Sequence, residues 1–401
     1  MNILFLSELF YPNGGGAELA SYLYARLLAS KGFNVTVITN KFSGEEEYFK
    51  NENLTVYRLS LFRESKSAKY SVLKRFDILL STCLHKMMKW ADIIYIPRFW
   101  YSAIPVAKNL GKPVIVHLHD YIVTCPLANL YDLPKGRVCE RSFCSPTCIY
   151  SYERSKGESL ASALSSTALN STIGRYMGWL ANLSDALVCV SEAQRKLIAA
   201  RAPLLSNRLH VIYNPLPEVS YVPLEGDDFA YFGGSSPLKG FHVLYEALKK
   251  INDGKITVEA TGFPVSKNSV SRLLNGISIE KYGWVRQEVL EKIYRSSRAI
   301  IIPSLNPEPL PFVTYEALLR GRLVIASNIG GIPEQTNSYL GCFLFPPGNH
   351  EKLASILQYV SSMDREEVLK IGQQNRSVFL SKNQNQKCLD SFIKILKSLH
   401  N

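Results

Sequence analysis

Glu308 and Glu316 stand eight residues apart, with Pro309 and Pro311 between them and an apolar run from Phe312 following. Pro311 falls where a helix would begin, a position at which its missing N–H costs nothing, and Gly321 would stop that helix. The two carboxylates therefore flank a helix start, where free N–H groups and the helix dipole favour phosphate. Glu residues near a helix N-terminus also occur simply because they suit that dipole. Two apolar strands must position this pair. Ala299 to Pro303 is short, β-branched and bounded by proline, as a buried parallel strand would be. Leu323 to Ala326 feeds a Gly330-Gly331 turn, and Pro333 opens a further helix. Strand, loop and helix start thus recur twice, and in open α/β sheets ligands collect at such strand ends.

Three other stretches carry candidate chemistry. Gly14-Gly15-Gly16 sits at a strand-to-helix turn, where glycine lets backbone approach a phosphate or sugar, although the pattern is not G-x-G-x-x-G and no acidic residue closes the second strand as NAD binding would want. Pro113 to Leu118 reads as a buried strand, so His117, His119 and Asp120 fall at its carboxyl end, with the two histidines on one strand face. Lys239-Gly240 stands between a strand over 229–234 and a helix from Phe241 to Ile251. Four thiols, Cys125, Cys139, Cys144 and Cys148, cluster in a loop-like segment. They suit either a structural zinc or plain packing, since the spacing lacks the paired C-x2-C knuckles of strong zinc signatures.

The Glu308/Glu316 pair with its GG-x-PE turn resembles the E-x7-E motif of family 4 of the retaining glycosyltransferases, enzymes of the two-domain GT-B fold. The resemblance extends over nearly the whole chain. It implies an α/β protein with two Rossmann-like domains facing across a donor-binding cleft. It also implies transfer of a sugar from a UDP- or GDP-type donor to an acceptor hydroxyl, without a required cofactor or divalent metal. By resemblance, Glu308 and His119 meet the donor sugar, with His117 as the substitute, and Glu316 holds the ribose. Lys239 neutralises the diphosphate, Gly15 and Gly16 face it, and Gly240 with the amides of Phe312 and Val313 completes the donor site. Two positions depart from the family pattern: Gly234 stands where an arginine is usual, and Pro311 where many members have glycine.

At 401 residues, with 46% hydrophobic and 11% aromatic content, the chain exceeds one hydrophobic core and is no disordered polymer. The expected division is an acceptor-side domain over 1–215, a proline-spaced linker over 216–228, a nucleotide-sugar domain over 229–380, and a closing helix within 381–401 that crosses back to the first domain. No run of ~18 apolar residues and no signal peptide is evident, so a cytoplasmic enzyme is expected. The net charge of +12 points to anionic partners. Charge alone leaves a membrane surface, nucleic acid or a phosphorylated substrate open; the resemblance implies a nucleotide-sugar and a glycan or lipid-linked acceptor, so these and an anionic membrane surface are the partners expected, and nucleic acid is not. Lys66, Lys69, Lys74 and Arg75 precede or lie within an expected helix from Tyr70 to Trp90, which could rest on lipid or be an ordinary helix with a solvated basic face. Two rivals share the scaffold: a nucleotide-sugar epimerase, and a catalytically silent nucleotide or anionic-polymer binder.

Overall fold

The computed structural model describes residues 1–60, 81–98, 100–141, 145–252, 256–264, 269–273 and 276–400. Lys66, Lys69, Lys74, Arg75 and Cys144 lie outside these. So does the first half of the helix expected from Tyr70. Its remainder is helix Thr82–Trp90, capped by Ser81, whose Oγ accepts from the Leu84 amide at 3.3 Å.

The chain divides into two compact units. Unit 1 comprises Met1–Lys135, Cys139–Leu216 and Gln384–Asn401, and unit 2 comprises Gly136–Val138 and Pro217–Asn383. In unit 1 the strands of the main sheet are β1 (Asn2–Ser7), β2 (Asn34–Asn40), β3 (Tyr48–Asn51), β4 (Leu54–Leu59), β5 (Ile93–Arg98), β6 (Val114–Leu118), β7 (Ala186–Cys189) and β8 (Leu209–Val211). They form one sheet among the described residues, ordered β8-β7-β6-β5-β1-β2-β4-β3, with β3 antiparallel to β4 and the other pairs parallel. The central strands are near-continuous apolar runs because helices cover both faces: Ile3 through Leu6, Ile93 through Ile96 and Val114 through Val116 are fully buried.

Strand order reverses at β1, which has β2 on one side and β5 on the other. That switch point lies between β1 and β5, the kind of place where open α/β sheets bind ligands. Helix Gly16–Ser30 begins there. The closing helix, Gln384–His400, packs into unit 1, with the Phe392 ring 5.3 Å from both Tyr24 and Tyr95 and the Cys388 thiol donating to the Tyr213 carbonyl at 2.8 Å.

Unit 2 repeats the scheme. Its strands are β9 (Asp228–Tyr231), β10 (Thr257–Ala260), β11 (Ser269–Arg272), β12 (Ser278–Lys281), β13 (Ser297–Ile302), β14 (Leu323–Ser327) and β15 (Cys342–Phe345). The order is β11-β12-β10-β9-β13-β14-β15, parallel except for the edge pair β11 and β12. Here the order reverses between β9 and β13.

The proline-rich stretch from Pro217 belongs to unit 2. Arg322, fully buried, donates through Nη2 to the carbonyls of Val222 and Pro223 at 2.7 and 3.0 Å, and through Nε to that of Tyr294 at 2.7 Å. Prolines offer carbonyls without N–H groups, so a guanidinium is a fitting partner for such a strap. Burial pulls Arg322 down to about 10.

Candidate active site

In unit 2 the loop after β13 carries Ser304 and Glu308 before Pro311 caps helix Phe312–Leu319. Glu308 is 7% exposed, and its Oε1 accepts from Lys239 Nζ at 2.6 Å and from Ser304 Oγ at 2.9 Å. Lys239 reaches it from the far side of the switch point, at the end of a short 3-10 turn, Pro237–Lys239. These side chains line an open pocket together with Tyr231, Phe232, Pro303, Pro311 and Val313. The floor is apolar and one wall is an ion pair. At the rim stands the start of a helix whose first amides have no intrahelical acceptor. A diphosphate has both a cation and N–H donors to meet there.

The loop geometry depends on glycines that no other residue could replace. Gly240 has φ +73°, and a Cβ there would lie 1.9 Å from the Pro303 carbonyl oxygen. Gly330 has φ +58°, and a Cβ would come within 2.2 Å of the Glu308 carbonyl oxygen, which accepts instead from the Gly331 amide at 2.8 Å. The GG turn therefore clamps the backbone of Glu308.

Glu316 is not part of that pocket lining. Its Oε2 accepts from Tyr294 Oη at 3.1 Å and faces Arg320 Nη1 at 3.6 Å, while Arg320 lies 4.1 Å over the Tyr294 ring and bonds Glu291 at 2.6 Å. Burial raises the Glu316 carboxyl, against the opposing pull of Arg320. The Phe312 side chain is buried edge-on against Tyr315, which leaves its backbone as its possible ligand group.

In unit 1 the Gly-rich turn, β5 and β6 bring four polar side chains together. Gly15 N–H donates to Glu18 Oε2 at 2.7 Å, and Arg98 Nη1 donates to Glu18 Oε1 at 2.8 Å. The amide of Gly15 is thus engaged within the turn, while Gly14 holds the φ of +103° that the turn needs. Burial alone would raise the Glu18 carboxyl, but Arg98 and the Gly15 amide outweigh it and hold it low. Asp120 accepts from the Ile122 amide at 2.9 Å, and burial raises its carboxyl against Arg98. Gln194 fixes this strand end, its Nε2 donating to the carbonyls of Leu118 and Asp120 at 3.0 and 2.9 Å.

His119, one residue past the end of β6, stacks on His117, ring centroids 4.6 Å apart, as residues two apart along an extended chain do. Their fates differ. His117 is fully enclosed, with Nδ1 2.8 Å from Tyr95 Oη, and is a core residue that a ligand does not reach. His119 is partly exposed, although its Nε2, like that of His117, is buried without a hydrogen-bond partner among the described residues. Burial, with Arg98 adding and Glu18 opposing, pulls His119 down to about 4, so it is neutral near pH 7.

This has a measurable consequence. Below its ordinary value of 6.5 the unfolded chain binds the proton that folded His119 refuses, so stability falls as pH drops from about 6.5 toward about 4. The slope contributed is up to ~1.4 kcal/mol per pH unit. In urea denaturation at pH 7 and pH 5, His119→Asn is expected to lose less stability than the parent over that interval; an identical loss would refute the shift.

Glu18, Arg98, Ser304, Tyr294 and Arg320 were not singled out in the sequence. Glu18 had a local signal, an acidic side chain three residues after Gly15 at a helix start, as in a capping box. The others are brought in from separate strands and helices. For the cysteines, no group of three His, Cys, Asp or Glu side chains among the described residues is placed to hold a metal ion. Cys125 and Cys148 are buried, the Cys148 thiol donating to the Tyr131 carbonyl at 3.6 Å, and burial raises the thiol of Cys139. Among the described residues no helix is long and apolar enough to cross a membrane.

Residues 14–218 match the family described as Glycosyltransferase Family 4, and residues 226–362 match Glycosyl transferases group 1. The chain belongs to glycosyltransferase family 4. A relative of this glycosyltransferase, an uncharacterized 42.6 kDa protein in the cps region of Klebsiella pneumoniae, is 23% identical over 349 residues, 83% of this chain and 87% of that one. Glycogen synthase of Mycobacterium tuberculosis is 25% identical over 250 residues, 57% of this chain and 56% of its own length. Among solved structures, Anabaena Alr3699/HepE in complex with UDP-glucose superposes with a TM-score of 0.64 at 17% identity, covering 100% of both chains. The trehalose-6-phosphate synthase OtsA gives 0.67 at 13%, covering 99% of each. At such identities the likeness concerns the fold, and the glycosyltransferase has the GT-B fold.

Proposed function

We propose that this glycosyltransferase moves a sugar from a uridine diphosphate sugar to an acceptor hydroxyl with retention of anomeric configuration, in the making of a polysaccharide or a lipid-linked glycan intermediate. The observation that carries the reading is the Lys239–Glu308 pair, set in one pocket with the start of helix Phe312–Leu319. Lys239 turns to the diphosphate when the donor binds, and the Phe312 and Val313 amides take its remaining oxygens. The bond between the anomeric carbon and the diphosphate oxygen breaks, and the acceptor oxygen bonds the same face. The departing diphosphate receives the acceptor's proton. Glu308 steadies the cationic ring, an electrostatic role that needs no covalent intermediate. His119, neutral, donates or accepts a hydrogen bond at a sugar hydroxyl, and Glu316 keeps Oε1 for the ribose. The uridine preference is supported by the UDP-glucose complex of HepE, and the polysaccharide role by the cps-region relative.

Thermal shift with UDP, GDP and ADP tests the donor, since a ligand at 100-fold its dissociation constant stabilises by ~2.7 kcal/mol. UDP is expected to raise the melting temperature most, and NMR of the transfer product to show the donor's own anomeric configuration. An inverted product, or turnover of donor into an epimer without acceptor, would overturn the reading. Transfer is expected to survive exhaustive chelation, because the cations of the site are side chains. Metal analysis of the same preparation reports separately on the cysteines, with about one zinc per chain if the four thiols hold it.

A further inference from the structure

Helix Phe312–Leu319 ends in a buried cation. Arg320 is 2% exposed, and the Tyr294 ring it stacks on is fully enclosed. A guanidinium taken out of water needs acceptors around its whole fork. Here they are unevenly placed. The Nε and Nη2 edge takes the Glu291 carboxylate, at 3.4 and 2.6 Å, and the flat face lies 4.1 Å over the Tyr294 ring. Nη1 is buried without a hydrogen bond among the described residues, and what stands before it, 3.6 Å away, is Glu316 Oε2. The same oxygen accepts from Tyr294 Oη at 3.1 Å. Two groups thus claim Oε2. Oε1 bonds no described residue, and with the side chain 22% exposed it is the oxygen left open to a ligand.

We propose that Arg320 is a positioning residue for donor binding: with Tyr294 it clamps Oε2 of Glu316 and so turns Oε1 to the ribose hydroxyls of the uridine diphosphate sugar. Such a clamp presupposes the ribose role proposed for Glu316. A carboxylate turns about its last torsion with little resistance, so holding one oxygen fixes the direction of the other. Tyr294 alone supplies a single hydrogen bond, about which the group could still swing. Arg320, four residues on and therefore on the same helix face, closes the second side.

The charges around Glu316 make the cation necessary. From helix Gln287–Ser296 it faces a second carboxylate, Glu291, and the phenol of Tyr294; from its own helix it faces Arg320. Two further guanidiniums at this end of the helix are turned to backbone carbonyls, Arg322 to those of Arg320 and Tyr294 and Arg376 to that of Leu319. Burial pushes Glu316 toward the neutral acid and Glu291 adds to the push, while Arg320, helped by Tyr294, opposes it. A neutral acid accepts a ribose hydroxyl more weakly than a carboxylate does. Lysine would be a poor substitute, being a point charge that cannot fork between two carboxylates while lying flat on a ring.

Calorimetry with UDP at pH 8 and pH 6 tests the clamp on full-length parent, Arg320→Met, Tyr294→Phe, Glu316→Gln and the double variant Arg320→Met/Glu316→Gln, with thermal melting of the same proteins. Arg320→Met is expected to bind UDP about tenfold more weakly than the parent at pH 8, the worth of a group acting on a charged hydrogen bond. The deficit is expected to widen at pH 6, where Glu316 without its cation takes up a proton. The ionisation of UDP itself is common to all the proteins and divides out. Tyr294→Phe keeps the ring beneath the guanidinium, so it reports even where Arg320→Met does not fold; its expected loss is about three- to tenfold, that of one hydrogen bond. Once Glu316 is Gln, Arg320→Met is expected to add nothing, in affinity or in pH dependence. Arg320→Met or Tyr294→Phe that melts lower yet binds UDP as the parent does at both pH values would overturn the proposal, and so would an Arg320→Met loss of the same size in the double variant. UDP binding unchanged in Glu316→Gln would instead remove the ribose role in the proposed function, whereas a loss there with none in the other two single variants removes only the clamp.

Discussion

Glu308→Gln is expected to lower the turnover number about 100-fold while UDP binds as tightly as to the parent or somewhat more tightly. Gln keeps an oxygen for Ser304 Oγ, now 2.9 Å from Oε1, so the loop stays in place, and the Gly331 amide still holds the Glu308 carbonyl. What disappears is the charge. In the ground state that charge binds Lys239 at 2.6 Å; in the transition state it would face a ring becoming cationic. Its loss is therefore felt in kcat more than in binding. Releasing Lys239 from its partner leaves a full cation for the diphosphate, which is why UDP affinity does not fall.

Glu316→Gln provides the contrast. It sits in the network of Tyr294 and Arg320, apart from the Lys239 pocket, and its loss should weaken UDP by ~1.5–3 kcal/mol, the worth of a charge-assisted hydrogen bond. Calorimetry with UDP and transfer kinetics on both variants decide the matter. Parallel losses of UDP affinity and turnover in Glu308→Gln would mean that the carboxylate supports the loop and does not act on the sugar.

Gly234→Arg is expected to destabilise the protein by ~2–5 kcal/mol instead of repairing the donor site. The resemblance to family 4 suggests this substitution, because an arginine is usual at that position. The backbone forbids it here. Gly234 has φ +63°, a region that costs an L residue ~1–2 kcal/mol, and a Cβ would lie 2.6 Å from the Gly262 carbonyl oxygen. Gly262 is itself at φ +85°, so two backbones touch where a side chain would have to fit. Forcing atoms into such a contact costs a further ~1–3 kcal/mol. The Gly234 amide bonds the Thr261 carbonyl at 3.1 Å, so displacement would also break the end of the β9–β10 pair. Thermal denaturation and UDP titration test this together. A variant as stable as the parent that binds UDP more tightly would show that the strand ends can open to admit the missing cation.

What the sequence determined by itself were features written within a few residues. The apolar runs of β1, β6, β13 and β14, the proline and glycine punctuation around Glu308, and the helix starting after Pro311 are local patterns, and the strands and helix they announce stand where expected. The two-fold recurrence of strand, loop and helix start was enough to say α/β, and the E-x7-E spacing was enough to name the family.

Tertiary structure decided whatever depends on strands distant in sequence. Arg98 meets Glu18 because β5 lies beside β1, a pairing across eighty residues that no local spacing encodes. Lys239 and Glu308 pair because β9 lies beside β13. Burial separated two histidines that the sequence ranked only by resemblance, His119 first and His117 as its substitute. His117 is fully enclosed and bonded to Tyr95, whereas His119, just past the end of β6, is partly exposed.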